Sequence, residues 1–273
     1  MNVVCIGAHP DDCEYFAGGT CVQWARRGHR VVFVSVSNGD IGHYAMSGVE
    51  LAKRRAEEAR RSAEWAGCEH RVLDHHDGEV MPTLELRKEI VRLIREYRAD
   101  IVLTHRPNDY HPDHRYTSLV VQDAAFMVTV PNFCPDAPRL EKDPVFFYLM
   151  DPFTKPSPFQ VDVAVDVDET MAVKWAMLDA MDSQFYEWLP WLWGFADEVP
   201  GDPAARRQWL EERYASYFLR MTEPTREALA RRYGAEHAAR VVYAEGFEFC
   251  EYGSRPSEEE IRRLFPFFPE ERA

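Results

Sequence analysis

The chain has 273 residues, 46 Asp and Glu against 32 Lys and Arg, and a formal charge of −14. That balance argues against a nucleic-acid backbone or an anionic membrane surface as the main partner, since both attract concentrated Lys and Arg. Hydrophobic residues are 46% and aromatic residues 13%, a composition that supports a large core and excludes a disordered chain.

The length suits one α/β domain over residues 1–273, carrying an inserted segment. No apolar run approaches the roughly 20 residues that span a bilayer. The N-terminal residues enter an apolar pattern at once, without a basic region or cleavage site, so no signal peptide is expected. The six cysteines (5, 13, 21, 68, 134 and 250) form no CxxC pair, and the expected setting is a reducing cytoplasm.

Residues 3–8 form a short continuous apolar run, the pattern of a strand buried on both faces. An apolar-periodic stretch through Gly18-Gly19 to Arg27 predicts a helix, which Gly28 stops. A Val/Phe-rich strand follows at 30–36, then turn residues Asn38-Gly39-Asp40. Ser47 and Glu50 have capping-box spacing before a helix over 51–66 that Gly67 ends. A short strand at Val72-Leu73, a helix over 83–98 and a buried strand at 100–104 come next. Then come a helix over 117–130, strands at 145–150 and 161–167, and a helix over 170–182. Residues 185–240 hold Trp188, Trp191, Trp193 and Trp209 and read as a helical, Trp-rich insertion, whose aromatics favour self-association into a homo-oligomer. A strand at 244–250 and a helix capped by Ser257 and Glu260 complete the pattern. Strand–helix alternation predicts a mostly parallel sheet flanked by helices.

The chemistry-bearing residues cluster after two of these strands. His9-Pro10-Asp11-Asp12-Cys13-Glu14 leaves the first, and His105 to Arg115 leaves the strand at 100–104. Ligands in open α/β sheets bind at the carboxyl ends of the strands. His9 and Asp12 are three apart, as are His111 and His114, a spacing that aims two side chains at one point. Imidazole and carboxylate both suit Zn²⁺, so the two clusters together offer a three-ligand site with residues to spare. A spare carboxylate can act as general base and a spare histidine can stabilise an oxyanion.

The segments Ala8-His9-Pro10-Asp11-Asp12-x-Glu14 and His111-Pro112-Asp113-His114 resemble the paired signatures of the PIG-L/LmbE-like family of zinc-dependent N-acetylglucosaminyl deacetylases and related amidases. Gly18-Gly19-Thr20, Ser37-x-Gly39-Asp40, Arg55-x-x-Glu58, Asp77-Gly78, Ser183-Gln184 and Tyr243-Ala244-Glu245 are weaker features of the same kind. The resemblance implies a Rossmann-like fold and one zinc per chain, with Fe²⁺ or Co²⁺ accepted by the same ligands. It implies that His9, Asp12 and His114 bind the metal, that Asp11 is the general base, that His111 stabilises the oxyanion and that Asp113 orients His111. The substrate it implies is a small-molecule amino sugar or conjugate. Met181 stands where many relatives have a histidine, and Asp109 where some have a tyrosine.

Arg55, Asp77, Arg106 and Asn108 are expected to grip the substrate, with an ion pair to Glu58 as the alternative for Arg55. Cys13 is a further possible ligand, His75 and His76 are expected on an exposed loop, and the tryptophans are expected in packing. An amidase acting on a thiol-sugar or peptide-like amide is the second reading. A metal-dependent binding protein is the third, which the unligated base argues against. A dinuclear phosphoesterase would need more ligands than these clusters hold.

Overall fold

The computed structural model describes residues 1–269. Its strands are β1 (Asn2–Gly7), β2 (Arg30–Ser37), β3 (Glu69–His75), β4 (Ile101–Thr104), β5 (Val145–Leu149), β6 (Val163–Asp166) and β7 (Ala244–Gly253). They form a seven-stranded sheet in the order β3-β2-β1-β4-β5-β7-β6. β1 pairs in parallel with β2 and β4, and the parallel pairing extends outward to β3 and β5. β7 runs antiparallel between β5 and β6. The sheet is therefore α/β and mostly parallel, as the alternation predicts.

Side chains of a strand alternate between the two faces of its sheet. Val3 and Cys5 of β1 pack with Phe33, Leu103 and Phe147 on one face, beneath Ala17, Cys21 and Trp24 of α1 (Asp12–Arg26). Val4 and Ile6 face the other way, onto Ile90 and Ile94 of α3 (Leu84–Tyr97) and Val120 and Val121 of α4 (Pro112–Met127). Both faces of β1 are fully covered, which is why its sequence is continuously apolar rather than alternating. α2 (Gly48–Ala66) ends at Gly67, whose φ of 68° is the left-handed conformation that glycine adopts without strain.

Several element boundaries differ from the sequence reading. α4 begins at Pro112, five residues earlier than expected, because His111 acts as its N-cap and accepts the Asp113 N–H. β3 covers seven residues where two were expected; it is an edge strand with a half-exposed, polar sequence that hides its period. Ser47 makes no side-chain capping bond, and the Gly48 amide instead donates to the carbonyl of Asp40. The Ser257–Glu260 box forms with both halves present. The helix expected over 170–182 is α5 (Met171–Asp179), followed by a π-helical turn over Ser183–Trp188 and α6 (Leu189–Leu192).

Residues 185–240 are largely helical, with α7 (Pro203–Thr222), α8 (Arg226–Tyr233) and α9 (Ala235–Ala238); α10 (Glu258–Leu264) follows β7. Leu210, Tyr214 and Phe218 of α7 pack with Met171, Trp175, Met181 and Phe185 in a separate apolar cluster. Met181 is thus a core residue. All six cysteines are free. Among the described residues no helix is long and apolar enough to cross a membrane.

The turn after α4 is irregular, and one buried side chain organises it. Arg95 of α3 donates to the backbone carbonyls of Met127, Val128, Val130, Phe133, Cys134 and Ala137. Replacing it with an apolar side chain would leave these carbonyls without their donor. Arg95→Met should lower unfolding stability by about 3 kcal/mol, read as a lower urea midpoint, while leaving metal content unchanged.

Candidate active site

The order of the sheet reverses at β1, because β2 and β3 lie on one side and β4 and β5 on the other. The loops that leave β1 and β4 consequently diverge over one crevice, where open α/β sheets bind ligands. Ile6 of β1 pairs with Thr104 of β4, so the His9 and His105 turns start at the same level.

Asp12 organises the first turn. Its Oδ2 accepts the Ala8 N–H at 2.9 Å and the His9 N–H at 2.8 Å, folding the chain back on itself as α1 begins. Gly7 makes room for this: a Cβ there would lie 2.6 Å from the Asp12 Cβ. His105 Nε2 also lies 3.1 Å from Asp12 Oδ2, and its ring stacks at 4.0 Å on His114.

Three donors converge in the crevice. His9 Nδ1 is 3.2 Å from His114 Nε2, His114 Nε2 is 3.4 Å from Asp12 Oδ1, and Asp12 Oδ2 is 3.5 Å from His9 Nδ1. Ligands about 2.0–2.1 Å from a tetrahedral ion are separated from one another by about 3.3–3.4 Å, a spacing that the His9–His114 pair and the pair of His114 with Asp12 Oδ1 match, whereas the Asp12 oxygen nearest His9 is Oδ2. Among the described residues, the donor sets whose atoms all lie within 4.8 Å of one another are His9–His111–His114, Asp12–His105–His114 and His9–Asp77–Asp113, so His9, Asp12 and His114 are shared among these sets without forming one by themselves.

The surroundings support the same fit. Metal-binding imidazoles direct their second nitrogen at a carboxylate or carbonyl. His114 Nδ1 lies 3.0 Å from Asp109 Oδ2. His9 Nε2 lies 3.1 Å from Asp77 Oδ1 and 3.4 Å from Asp113 Oδ2, buried and without a well-formed hydrogen bond.

Charge tells the same story. Burial disfavours the His9 imidazolium, yet Asp113, Asp12 and Asp77 overcome it and raise its pKa well above the usual histidine range. Burial likewise works against His114, and Asp12 and Asp109 carry it up to about 9. Burial pushes Asp12 up, but His114 and His105 hold it well below the ordinary carboxylate range. The crevice therefore demands positive charge, which a divalent ion would supply in place of protons on the two imidazoles.

Asp11 stands beside this cluster without belonging to it. Its carboxylate is 3.4 Å from Arg55 Nη2. Burial raises its pKa to about 6, with Arg55 pulling the other way and Asp12 adding to the rise. Arg55 reaches it by passing under Gly39, where φ is 70° and a Cβ would lie 2.4 Å from Arg55 Nη1. Glu58 is occupied elsewhere, by Arg54 and by the backbone and hydroxyl of Ser183, so the Arg55–Glu58 pair does not form.

His111 lines the crevice with its ring 4.6 Å from that of His9. Its Nδ1 accepts the Asp113 N–H at 3.2 Å, which leaves the proton of the neutral ring on Nε2. Burial, with the neighbouring His9 and His114, lowers its pKa to about 4.

The structure redirects four expected roles. The Asp113 carboxylate does not orient His111; it accepts the N–H groups of Gly78 and Val80 and faces His9, and only its backbone touches His111. Asp77 also faces His9, and the Asp40 carboxylate holds it through its amide. Arg106 makes a buried two-pronged pair with Asp151 and donates to the carbonyls of Phe153 and Ser157, contacts that brace the loop after β5. Asn108 donates to the Lys155 carbonyl.

Cys13 donates to the Cys5 carbonyl in the core, away from the cluster. His75 pairs with Glu89, and His76 with Asp40. His105, which the sequence reading left without a role, lies against Asp12, and Asp109, read there as pocket lining or a turn, faces His114. Their signal was available: a carboxylate and an imidazole flank the second cluster, and metal ligands need such partners.

A family model described as GlcNAc-PI de-N-acetylase, PIG-L, matches residues 4–125. The diacetylchitobiose deacetylase of Thermococcus kodakarensis is 38% identical over 207 residues, covering 70% of this chain and 74% of that protein. The 4-oxalmesaconate hydratase of Pseudomonas putida is 22% identical over 256 residues, covering 90% and 88%. The fold is shared with the N,N'-diacetylchitobiose deacetylase of Pyrococcus horikoshii, at TM-score 0.68 and 23% identity over 91% of this chain and 83% of that one. It is shared too with the Pseudomonas putida hydratase GalB, at TM-score 0.73 and 20% identity over 94% and 98%. The chain belongs to the PIG-L family.

If Asp109 fixes the His114 ring, Asp109→Asn should weaken metal affinity about 10- to 100-fold. Competition against a chromophoric chelator reads this directly. Unchanged affinity would remove Asp109 from the support of the ligand.

Proposed function

We propose that this protein removes the acetyl group from the nitrogen of an N-acetylglucosamine-type sugar or conjugate, at one zinc ion held by His9, Asp12 and His114. It is an enzyme that hydrolyses N-acetyl amides. The observation that carries the reading is Asp11, a carboxylate with a raised pKa, standing next to three converging ligands without being one of them.

When bound, the ion polarises an amide carbonyl and acidifies a water. Asp11 accepts the proton of the attacking water and returns it to the leaving nitrogen. Arg55 holds Asp11 in place and favours its ionised form. His111, neutral and protonated on Nε2, donates to the oxygen on which negative charge develops. Asp77, Asp109 and Asp113 hold the imidazoles of His9 and His114 in the orientation that ligation needs. The relatives named as deacetylases of diacetylchitobiose support a sugar substrate, and the donor set accepts Fe²⁺ or Co²⁺ as well as Zn²⁺.

A second reading comes from the hydratase relative, whose match covers nine-tenths of this chain. The substrate in its name is a polycarboxylic acid, which calls for free cations. Arg55 and Arg106 are both turned to carboxylates here.

The deciding experiment measures metal content and acetate release from GlcNAc and N,N'-diacetylchitobiose, with and without chelator. One equivalent of metal and chelator-sensitive acetate are expected. Stoichiometric metal with hydration of 4-oxalmesaconate and no acetate would favour the second reading, and failure to bind Zn²⁺ would overturn both.

Asp11→Ala should lower kcat about 1000-fold with metal content unchanged; loss of metal would make Asp11 a ligand instead. The base is active only when ionised, so kcat/KM should fall as pH drops through about 6. A bound cation adds to the pull of Arg55 and moves that limb lower. Arg55→Met removes a cation that lowers the Asp11 pKa, so the acid limb should move to higher pH; a limb that stays in place would detach Arg55 from the base.

A further inference from the structure

We infer that Glu14, His70 and Ser35 form a buried chain of contacts that fixes the His9 carbonyl from the core side, and that they are positioning residues for the metal ligand His9 and for Asp11. The turnover part of this inference rests on the deacetylase reading; its other readouts stand apart from it.

Glu14 closes the first signature segment, yet the chemistry of the site does not use it. It sits in the first turn of α1, where the amide end of a helix favours a carboxylate. It is fully buried, and among the described residues neither of its oxygens has a well-formed hydrogen bond. The group that faces it is His70 of β3, whose side chain is 1% exposed and whose Nδ1 lies 3.0 Å from Glu14 Oε1. Apolar side chains of similar volume would hold such a place at least as firmly as a buried ionisable pair. Stability alone therefore does not account for the pair.

The account lies one contact further on. His70 Nε2 is 2.8 Å from Ser35 Oγ, and Ser35 Oγ is 3.0 Å from the His9 carbonyl oxygen. A hydroxyl has one proton to give, and a carbonyl can only accept. The Ser35 proton therefore goes to His9, and the Ser35 oxygen takes its own hydrogen bond from His70 Nε2–H. That fixes a proton on Nε2 and turns Nδ1 toward Glu14. The ring of Phe33 stands edge-on to that of His70, with centroids 5.8 Å apart, and limits its rotation.

The carbonyl at the end of this chain is the pivot of the site. It also accepts the Asp11 N–H at 2.9 Å and the Asp12 N–H at 3.3 Å. The first of these closes a three-residue turn around Pro10. Asp12 Oδ2 fastens the turn from the crevice side, through the N–H groups of Ala8 and His9. Ser35 fastens it from the core side. A swing of the His9–Pro10 peptide would carry the His9 ring away from His114 and Asp11 away from Arg55. The buried chain removes that freedom without touching a metal-ligating atom.

Ring nitrogen chemical shifts of His70 in the whole protein, assigned by their loss in His70→Gln, locate its protons; a proton on Nε2 is expected. Ser35→Ala should weaken Zn²⁺ affinity about 10-fold in competition with a chromophoric chelator. With saturating metal it should also lower kcat for acetate release from N,N'-diacetylchitobiose about 10-fold at unchanged KM. The double variant Glu14→Leu, His70→Leu should keep or raise the urea midpoint while losing affinity and kcat as Ser35→Ala does. His70→Gln, whose amide nitrogen can donate to Ser35 from the same place, should restore most of both.

A bare Nε2 would mean that Ser35 gives its proton to His70, and overturns the chain. Wild-type affinity and kcat in Ser35→Ala overturn it too and leave the deacetylase reading standing. Wild-type kcat in the double leucine variant confines Glu14 and His70 to packing; should that variant fail to fold, Ser35→Ala and the nitrogen shifts decide alone. No acetate from wild type, with Zn²⁺ affinity still weakened by Ser35→Ala, keeps the chain and sinks the deacetylase reading. Neither acetate nor a change in affinity sinks both.

Discussion

One oxygen atom, Asp12 Oδ2, holds the site together. It takes the backbone N–H groups of Ala8 and His9 and lies against His105 Nε2. Those contacts bend the chain sharply at the end of β1 and aim the His9 ring into the crevice. They also leave Oδ1 facing His114. The carboxylate that makes the turn also faces His114, so the backbone bend and the approach of the two imidazoles are coupled and neither can relax alone. Gly7 is part of the same constraint, because a Cβ at that position would meet the Asp12 side chain.

Around this turn the protein collects acidic groups. Asp11, Asp12, Asp77, Asp109 and Asp113 surround two imidazoles, with Arg55 as the cation beside Asp11. Burying carboxylates together is costly unless positive charge joins them. The arrangement divides the labour by environment. Asp12, Asp77 and Asp109, each beside an imidazole, are held below the ordinary carboxylate range. Asp11 is the one whose pKa rises toward neutrality, as a general base requires.

Much of this was legible in the sequence. β1 and β4 declare themselves as uninterrupted apolar runs because both faces are covered, and each is followed by a His/Asp cluster that no core would tolerate unpaired. The choice among the carboxylates was less legible. Asp77 and Asp113 turned out to face His9 because the loop after β3 folds over α4, a contact that no local spacing encodes. Arg106 follows a strand into the crevice, where a substrate-binding cation would be sought, yet Asp151 from the loop after β5 pairs with it. β3 was half hidden because an edge strand exposed to water carries polar residues on both faces. Ser47 shows the limit of motif reading: the spacing of a capping box is present, but the side chain makes no capping bond, and the head of the helix is tied instead through the Gly48 amide to the Asp40 carbonyl.

The placement of β7 has a consequence for how the sheet is assembled. β6 touches the rest of the sheet only through β7, and all of α5 to α9 is made between the two. While the chain emerges in order, β1 to β5 with their helices can already pair with neighbours made earlier. β6 must wait for β7, and β5 keeps an unpaired edge until then. Closing so long a loop is slow, and an open edge in the meantime invites pairing with another chain. The crevice forms from the early half of the chain, whereas the apolar cluster of α7 settles late. Incomplete chains are therefore expected to carry a nearly formed crevice on a sheet that still exposes an adhesive edge.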